Sequence, residues 1–516
     1  MMNKKSMLGL AAIPVAAASC ANGQQPKEKP NVLLIIADDL GIGDVEAYGY
    51  GSIHTPALDS LASEGIRFNN AYATSATSTP SRYGLLTGQY PWRNDDARIL
   101  PGDAPLLIRP EMNTLPKMLR DNGYQTGAIG KWHLGMGDGN VDWNRPISPS
   151  ANEVGFDYTC LIAATNDRVP TVYVENGLVE GLDPSDPIEV SYEHNFPGEL
   201  DGKKDLDRIR MMWDHKHNDA IINGIPRIGY MKGGHKALWK DEEMADYFIG
   251  KLRSYVAGLD RSKPFFLYYG LHQPHVPRTP AARFVGKTDL GPRGDAVVEA
   301  DWCVGEILSV LDSAGLMDNT LVIFTSDNGP VLQDGYVDGA YESRDRHDAY
   351  GQLRGGKYSL YDGGAHVPML ICWKGHTPEG MVSEELVSQL DLYASLASLV
   401  GGSVPEDLDS ENYMDAFLGK GSGRKSTVVE AKSRLALRSG DYILLPPYYG
   451  PAYRETKKVD LGNVPDYELF DVKADRGQRR DIAPEHPELL DSLKTEFLSI
   501  AGDHYDIDIT EKLKNY

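Results

Sequence analysis

Two pairs of oxygen-bearing side chains follow two apolar runs of the sequence. Asp38 and Asp39 come directly after the run NVLLIIA, and Asp327 and Asn328 come shortly after the run LVIFT. Because open α/β sheets place ligand sites at the carboxyl ends of their strands, we expect these four side chains to lie close together. Three carboxylates and one amide oxygen favour Ca²⁺ or Mg²⁺ over Zn²⁺. An Asp pair after a strand also serves as a loop cap, so neither pair alone predicts a metal.

The segment STPSRYGLLTG, residues 78–88, combines a hydroxyl group with an environment that suits anions. Pro80 favours the first turn of a helix, which places Ser78 at the helix N-terminus. Free N–H groups and the helix dipole attract an anion there, and Arg82 adds a cation. The alternative for Ser78 is an ordinary serine that caps the helix.

Three other segments supply cations and imidazoles. In GKWHLG, Lys131 and His133 lie on the same face if the segment is extended. His275 lies in HQPHVP, and imidazole suits proton transfer because its pKa is near neutral. Lys357 follows a glycine pair in LRGGK. We assign His366 to support of the fold, whereas His272 is either a further site residue or an ordinary core or loop histidine.

Together these segments resemble the motifs of the type I sulfatases, and the chain resembles their bacterial serine-type members. The signature in that family is Cys or Ser, then x-Pro-x-Arg, followed at a fixed distance by Thr-Gly, which Thr87 and Gly88 match. The first residue of the signature is oxidised to formylglycine, so the resemblance implies that an anaerobic-type sulfatase-maturating enzyme modifies Ser78. It also implies one Ca²⁺ ion held by Asp38, Asp39, Ser78, Asp327 and Asn328.

The resemblance further implies a catalytic set of Ser78, Arg82, Lys131, His133, His275 and Lys357. The hydrate of the modified Ser78 would attack sulfur while His275, aided by Lys357, helps the alcohol leave. His133 would then drive collapse of the sulfated hemiacetal, which releases sulfate and restores the aldehyde. Lys131, His275 and Lys357 would also bind the sulfate group.

The substrate implied by the resemblance is a sulfated saccharide. The chain is similar to the arylsulfatases and N-acetylgalactosamine sulfatases, whose branch acts on galactose or N-acetylgalactosamine sulfates in host or algal glycans. We predict that Asp167, Arg168 and His215 bind sugar hydroxyls, because each lies in a polar loop segment that offers carboxylate, cation or amide groups. A solvated loop is the alternative for both segments.

Two other functions are compatible with parts of the pattern. A phosphoesterase of the related alkaline-phosphatase group would use Ser78 directly, but such enzymes hold two metals and commonly carry Asp-His where this chain has Asp327-Asn328. An inactive glycan-binding homologue would keep the pocket without needing an acid and a base. The presence of Lys131, His133, His275 and Lys357 argues against it.

Apolar runs that alternate with helical patterns predict an α/β fold. The predicted strands are 31–37, 125–129, 264–269, 321–325 and 368–373, and the clearest predicted helices are 242–259 and 300–311. The resemblance implies an alkaline-phosphatase-like sheet, mixed but mostly parallel, sandwiched by helices. The stretch 137–240 is less periodic, and we interpret it as insertions and loops over one edge of the sheet.

A glycine-rich segment at 419–423 predicts a linker, which divides the chain into a catalytic domain at 31–420 and a C-terminal α+β subdomain at 424–516. Short strand-like runs at 427–430, 435–437, 442–445 and 467–470 precede a helix that begins near Pro487. This is similar to the small antiparallel sheet with one helix that the sulfatases carry.

The N-terminus has the pattern of an exported protein. Two lysines precede an apolar run too short to span a bilayer, which predicts a signal peptide at 1–20 and a polar tether at 21–30. Ala17-Ala18-Ser19-Cys20 is similar to a lipoprotein cleavage box, so we expect a periplasmic or cell-envelope location with either a lipid anchor at Cys20 or plain secretion.

The bulk composition narrows the class of partner. A net charge of −22 makes nucleic-acid binding a poor fit, so local cations and a metal must attract an anionic substrate. The spacing of Cys160, Cys303 and Cys372 suggests no metal cluster, and their apolar neighbours predict buried thiols, with one disulfide as the alternative.

Overall fold

The run Asn31–Ala37 forms the central strand of the protein because its residues can be buried on both faces. In this computed structural model, which describes residues 29–513, every residue of the run after Asn31 is buried. The predicted signal peptide, Cys20 and most of the tether lie outside the described residues.

The elements of the large domain have the following bounds. Its strands are β1 (Asn31–Ala37), β2 (Ile66–Tyr72), β3 (Gln125–Lys131), β4 (Tyr158–Ile162), β5 (Val174–Glu175), β6 (Leu178–Val179), β7 (Glu189–Ser191), β8 (Ile221–Ile222), β9 (Ile225–Pro226), β10 (Tyr230–Lys232), β11 (Phe265–Gly270), β12 (Thr320–Ser326), β13 (Met369–Cys372) and β14 (Met381–Ser388). Its α-helices are α1 (Pro56–Glu64), α2 (Ser78–Thr87), α3 (Leu115–Asp121), α4 (Ala151–Val154), α5 (Met244–Ala257), α6 (Pro292–Ser313), α7 (Leu392–Val400) and α8 (Met414–Phe417).

One large sheet organises these elements. Its strand order is β14–β2–β13–β12–β1–β11–β3–β4–β5–β6, and β13 and β5 run opposite to the other eight strands. Alternate residues of β1 enter two separate cores: Val32 and Leu34 pack on the side of α2, α3 and α7, whereas Leu33 and Ile35 pack on the side of α1, α5 and α6. The predicted mixed, mostly parallel sheet between helices is confirmed.

Several sequence-based details need correction. The stretch 137–240 does not only cover the sheet, since β4, β5 and β6 extend it, and β4 pairs in parallel with β3. These strands are two to five residues long, too short to give a clear apolar run. The predicted strand at 368–373 exists as β13 but runs antiparallel, and β2 and β14 were not predicted because polar residues interrupt both.

The C-terminal part forms its own layer. Its elements are β15 (Ser426–Ala431), β16 (Arg434–Ser439), β17 (Tyr442–Leu445), β18 (Tyr453–Arg454), β19 (Val459–Asp460), β20 (Glu468–Asp471), α9 (Pro487–Ala501) and α10 (Thr510–Leu513). The sheet β15–β16–β17–β20 is antiparallel, and Leu493 and Phe497 of α9 pack on Leu435 and Leu437 of β16. The predicted antiparallel sheet with a packed helix is confirmed, whereas the exact domain boundary at 420–424 stays a prediction.

The cysteines match the prediction of buried thiols. Cys160, Cys303 and Cys372 are all buried and free, so the disulfide alternative is not realised among them. Within residues 29–513, no helix combines the length and apolar character that crossing a bilayer requires.

Candidate active site

The two acidic pairs meet at one edge of the central sheet. Strands β1 and β12 pair in parallel with Ala37 opposite Ser326, so the residues that follow each strand emerge side by side. Asn328 donates from Nδ2 to Asp39 Oδ1 at 2.8 Å, and the Asp39 backbone N–H donates to Asp327 Oδ1 at 3.3 Å. Asp39 adopts a left-handed backbone with φ of 63°, which turns the chain sharply at the end of β1.

The N-terminus of α2 points at this edge. Ser78 is the first residue of the helix, and its Oγ lies 3.4 Å from Asp38 Oδ1 and 3.4 Å from Asn328 Oδ1. The structure therefore brings together all five residues that the sequence assigned to a metal site.

The donor set fits a hard divalent cation. Burial raises the pKa of Asp38, although the nearby Lys131 opposes that effect. Asp38 Oδ2 is buried and accepts no hydrogen bond from the described residues, which is the kind of oxygen that a bound cation satisfies. Ligand atoms of Asp38, Asp39 and His275 all lie within 4.8 Å of one another. These side chains form a candidate metal site.

Two buried cations balance the carboxylates. Lys131 Nζ lies 2.6 Å from Asp38 Oδ1, 2.9 Å from Ser78 Oγ and 3.4 Å from Asp327 Oδ2. Arg82 donates from Nε to Asp327 Oδ2 at 2.9 Å and from a terminal nitrogen to the Tyr268 hydroxyl at 2.7 Å. Burial alone would raise the pKa of Asp327, but Lys131 and Arg82 lower it below its ordinary value.

One ring nitrogen of His133 has no hydrogen-bond partner among the described residues. Its Nε2 lies 3.0 Å from the Leu100 carbonyl oxygen, which requires the proton on Nε2 and leaves Nδ1 as an acceptor. Nδ1 is buried and has no hydrogen-bond partner among the described residues. Burial, and then the positive charges of Lys131 and Arg168, lower the pKa of His133 well below its usual value. The ring is therefore neutral near pH 7 and able to accept a proton.

His275 and Lys357 approach the site from the other side. His275 donates from Nδ1 to the Val276 carbonyl at 2.7 Å, so its Nε2 faces Asp39 Oδ2 at 3.8 Å. Lys357 Nζ lies 2.8 Å from the same Asp39 oxygen and 3.2 Å from Asp334 Oδ2. Burial would lower the pKa of Lys357, but Asp39, Tyr358 and Asp334 raise it well above its ordinary value, so the side chain is a permanent cation.

A pocket of about 240 Å³ opens onto these groups. Among the residues predicted from sequence, those that line it are Ser78, His133, Asp167, Arg168, His275 and Lys357. Lys131 and Arg82 lie behind Ser78, fully buried. His272 and His366 do not line the pocket, and His366 instead bonds Asp362 at 2.9 Å.

The predicted sugar-binding loops are only partly in place. Asp167 accepts from Arg168 at 2.9 Å and lies 2.8 Å from His217 Nε2, and all three residues line the pocket. Burial would raise the pKa of Asp167, but Arg168 above all holds it well below its ordinary value. His215 is not a lining residue; it faces Asp214 at 2.9 Å, and Lys216 and His217 line the pocket in its place.

Sequence reasoning missed part of the pocket wall. The lining residues that it did not single out include Tyr192, Asp334, Tyr358, Lys432, Arg454 and Lys457. Lys432, Arg454 and Lys457 belong to the C-terminal part of the chain, far in sequence from every motif. The sequence around these two lysines and one arginine contains no motif that distinguishes them from ordinary surface charges.

The family model described as Sulfatase matches residues 30–402. The chain belongs to the sulfatase family. It is therefore an enzyme that hydrolyses sulfate esters, as the motifs around Ser78 predicted, and the phosphoesterase and inactive-homologue alternatives are set aside.

Relatives of this sulfatase include well-covered matches in bacteria and mammals. An N-acetylgalactosamine-6-O-sulfatase from Bacteroides thetaiotaomicron is 46% identical over 92% of this chain and 94% of its own length. Human arylsulfatase A is 31% identical over 92% of this chain and 88% of its own length. A solved structure from work on the metabolism of multiple glycosaminoglycans by Bacteroides thetaiotaomicron superposes with a TM-score of 0.89 at 46% identity, covering 92% of this chain and 99% of that chain.

Proposed function

We propose that this sulfatase removes a 6-O-sulfate group from N-acetylgalactosamine in a sulfated glycan. The observation that carries the proposal is the 46% identity to an N-acetylgalactosamine-6-O-sulfatase over nearly the full length of both chains. The predicted sugar-binding residues Asp167 and Arg168 line the same pocket as Ser78, which agrees with the proposal. Galactose 6-sulfate differs from this sugar only at carbon 2, so it is the natural competitor in any test.

We propose that the metal is Ca²⁺, held by Asp38, Asp39, Asp327, Asn328 and the modified Ser78. An all-oxygen donor set with three carboxylates suits this ion. Bound there, Ca²⁺ would supply positive charge that offsets the negative charge of the sulfate oxygens. That negative charge otherwise repels an approaching nucleophile.

We propose that Ser78 becomes formylglycine through a sulfatase-maturating enzyme, and the hydrate of that aldehyde would supply the nucleophile. Lys131 Nζ, 2.9 Å from Ser78 Oγ, holds the atom at position 78 in place and offers a charge to the sulfate. The N-terminus of α2, where Ser78 is the first helical residue, adds the positive end of the helix dipole beside the same anion. These contacts come from the chain alone and exist before substrate arrives.

The two histidines divide the proton transfers. His275 lines the pocket with its Nδ1 bonded to the Val276 carbonyl, so Nε2 is the atom that would protonate the leaving sugar oxygen. Lys357, held by Asp39 and Asp334, places a cation beside the same oxygen. His133 is neutral with Nδ1 open, so it accepts the proton whose removal completes the cycle.

Sugar binding falls to the wall formed by Asp167, Arg168 and His217. Asp167 shares its carboxylate between Arg168 and His217, which fixes all three side chains in one orientation. Such a fixed set of donors and acceptors suits adjacent ring hydroxyls. His215 does not line the pocket, and so its predicted role passes to His217, two residues further on.

The cellular setting remains part of the proposal. The N-terminal pattern of the sequence supports export to the periplasm or cell envelope, with Cys20 as the candidate site of a lipid anchor. Metabolic labelling with a fatty acid, compared between the natural chain and Cys20→Ser, would show whether an anchor is attached.

One experiment tests nucleophile and substrate together. The protein is produced with and without a maturating enzyme, and the peptide that contains Ser78 is weighed by mass spectrometry. We expect the loss of two hydrogen atoms in the matured sample only, and turnover of 6-O-sulfated N-acetylgalactosamine in that sample only. Matured protein that cleaves other sulfated sugars but not this one would overturn the substrate, and activity from unmodified Ser78 would overturn the nucleophile.

A further inference from the structure

One aromatic ring in the pocket wall is surrounded by cations. The ring centroid of Tyr358 lies 5.4 Å from the Arg454 guanidinium carbon, 5.6 Å from Lys457 Nζ and 5.9 Å from Lys432 Nζ. Lys357, at 5.5 Å, contacts the same ring from the side of the acidic site. Cation–π contacts hold such groups near one another. We call Tyr358, Lys432, Arg454 and Lys457 the Tyr358 cluster.

The cluster leaves the pocket with an excess of positive charge. Asp334 pairs with Lys457 and with Lys357, so a single carboxylate serves two lysines. The Lys and Arg residues that line the pocket are Arg168, Lys216, Lys357, Lys432, Arg454 and Lys457, and its carboxylates are Asp167 and Asp334. Six basic side chains therefore stand against two lining carboxylates, or three with Asp39 behind Lys357, in a chain whose net charge is −22. This local reversal of sign indicates a strongly anionic ligand.

Mutual repulsion within the cluster supports the same conclusion. Burial first, and then the positive charges of Arg454 and Lys216, lower the pKa of Lys432 to about 7. Burial also lowers the pKa of Lys457, although Asp334 opposes the effect. A bound anion would stabilise the protonated form of these lysines, because an opposite charge nearby favours the charged state.

The backbone holds the cluster in a defined place. Lys432 lies in the turn between β15 and β16, where Lys432 and Ser433 both adopt a left-handed conformation, with φ of 52° and 65°. Arg454 and Lys457 lie in the hairpin β18–β19, which Arg454 closes by pairing with Val459. The C-terminal part of the chain thus contributes Lys432, Arg454 and Lys457 to the lining of the pocket.

Lys357 joins the two parts of the pocket. It lies 2.8 Å from Asp39 in the acidic site and contacts the Tyr358 ring in the cluster. An ester sulfate near Ser78 and a second anion near the cluster could therefore be bound at the same time, with Lys357 between them. The sulfate under attack has its own cations in Lys131 and Lys357, so it does not need the three cations of the cluster.

We propose that the Tyr358 cluster binds a second anionic group of the substrate, in addition to the sulfate ester that is cleaved. This inference rests on the proposed function and narrows its substrate class to glycans with at least two anionic groups near each other. The group is a carboxylate of a neighbouring uronic acid or a second sulfate on the same sugar, since both are oxyanions that Lys and Arg recognise.

The test compares the specificity constant, kcat/KM, of the matured enzyme for four substrates. They are 6-O-sulfated N-acetylgalactosamine, its 4,6-disulfated form, the 6-O-sulfated sugar joined to glucuronic acid, and the same sugar joined to neutral glucose. We expect at least one dianionic substrate to exceed its monoanionic counterpart by about tenfold or more, mainly through a lower KM. The disulfated sugar and the glucuronic acid compound distinguish the two sources of the anion.

The matching variant is the double substitution Lys432→Met with Arg454→Met, which removes two charges and keeps an unbranched, largely apolar side chain at each position. We expect it to reduce the dianionic preference by about tenfold or more. The control is Lys458→Met with Lys473→Met, which removes two charges from residues that do not line the pocket and should keep the preference. If the double variant does not fold, Lys432→Met and Arg454→Met are measured singly.

A separate measurement keeps this inference distinct from the proposed reaction. Calorimetry on unmatured protein follows binding of the sulfate-free N-acetylgalactosamine–glucuronic acid disaccharide and of 4-O-sulfated N-acetylgalactosamine, which needs no turnover. Binding of either that weakens in the Lys432→Met, Arg454→Met protein but not in the control supports the cluster even if every sulfate ester remains uncleaved. Equal kcat/KM for monoanionic and dianionic substrates, or a preference and affinity that the double variant keeps, would overturn it.

Discussion

Arg82 and Asp327 form an ion pair in the interior of the protein, and Asp327 itself belongs to the candidate metal site. Arg82 Nε donates to Asp327 Oδ2 at 2.9 Å, and the two side chains are 0% and 1% exposed. Arg82 starts from the second turn of α2 and Asp327 from the end of β12, so the pair fixes the helix that carries Ser78 against the sheet edge that carries the carboxylates.

Breaking this pair should destabilise the fold. A buried charge that loses its partner costs about 3–5 kcal/mol, so we expect Arg82→Met to lower the free energy of unfolding by about that amount. Urea denaturation followed by circular dichroism measures it. The control is Arg283→Met, whose partner Asp246 and own side chain are about half exposed, so the expected loss stays under about 1 kcal/mol. Equal losses in the two variants would show that Arg82 does not anchor α2.

Removing the hydroxyl of Ser78 should abolish turnover without loss of structure. Ser78→Ala cannot be converted to formylglycine, whereas its small side chain fits the same helix start. The Ser78 hydroxyl makes one hydrogen bond under 3 Å, the one from Lys131, so the melting temperature should change little. Hydrolysis of a chromogenic aryl sulfate measures activity, with Ser81→Ala as a control because, among residues 29–513, the Ser81 hydroxyl bonds only to the backbone of Ser75. Substantial residual activity in Ser78→Ala would contradict the assignment of Ser78 as the source of the nucleophile.

The site residues that could be predicted are those whose position at the end of a strand or the start of a helix is visible in the sequence itself. Asp38 and Asp327 follow strands, and Ser78 begins a helix whose Pro80 marks its first turn, so the meeting of the three follows from the fold class. The position of Lys131 follows from the fold class in the same way, because Lys131 is the last residue of β3, which pairs in parallel with β11.

The wall made by the C-terminal part could not be predicted in this way. Lys432 and Arg454 reach the pocket because two hairpins of one layer dock beside Tyr358 of the other, a tertiary contact that no short segment encodes. Likewise, His215 and His217 differ by two residues in one polar run, and only the backbone decides which of them faces the pocket. Burial patterns therefore identified the sheet and its edge, whereas residues on long loops needed the three-dimensional structure.

Removal of a divalent cation should inactivate the enzyme and lower its thermal stability. The unsatisfied Asp38 Oδ2 and its neighbours suit an oxygen-liganded ion that binds only the folded state, so ligand binding adds to stability. We expect chelation to abolish activity and lower the melting temperature, and added Ca²⁺ to restore both. In Asp38→Asn the shift caused by Ca²⁺ should shrink, whereas Asp301→Asn, a buried carboxylate bonded to Ala57 and Leu58, should keep it. Full activity in demonstrably metal-free protein would contradict the site.

The depressed pKa of His133 should appear in the acid limb of the pH–rate profile. Burial, Lys131 and Arg168 lower that pKa, so His133 stays an unprotonated base until the pH falls well below 6.5. Replacing Arg168 by Met removes a positive charge, which raises the pKa of His133 and moves the acid limb of kcat to higher pH. Replacing His133 by Gln should lower kcat by about 10²–10⁴-fold, as the loss of a general base does.

The control for this shift is Lys203→Met, which removes a charge from a surface pair with Asp219 on the same stretch of the chain. Its acid limb should coincide with that of the unmodified sequence. Because kcat is measured at saturating substrate, a change in sugar affinity caused by Arg168→Met does not move the limb by itself. An acid limb that stays in place in Arg168→Met would mean that another group controls it, and the base assigned to His133 would have to be sought elsewhere in the pocket.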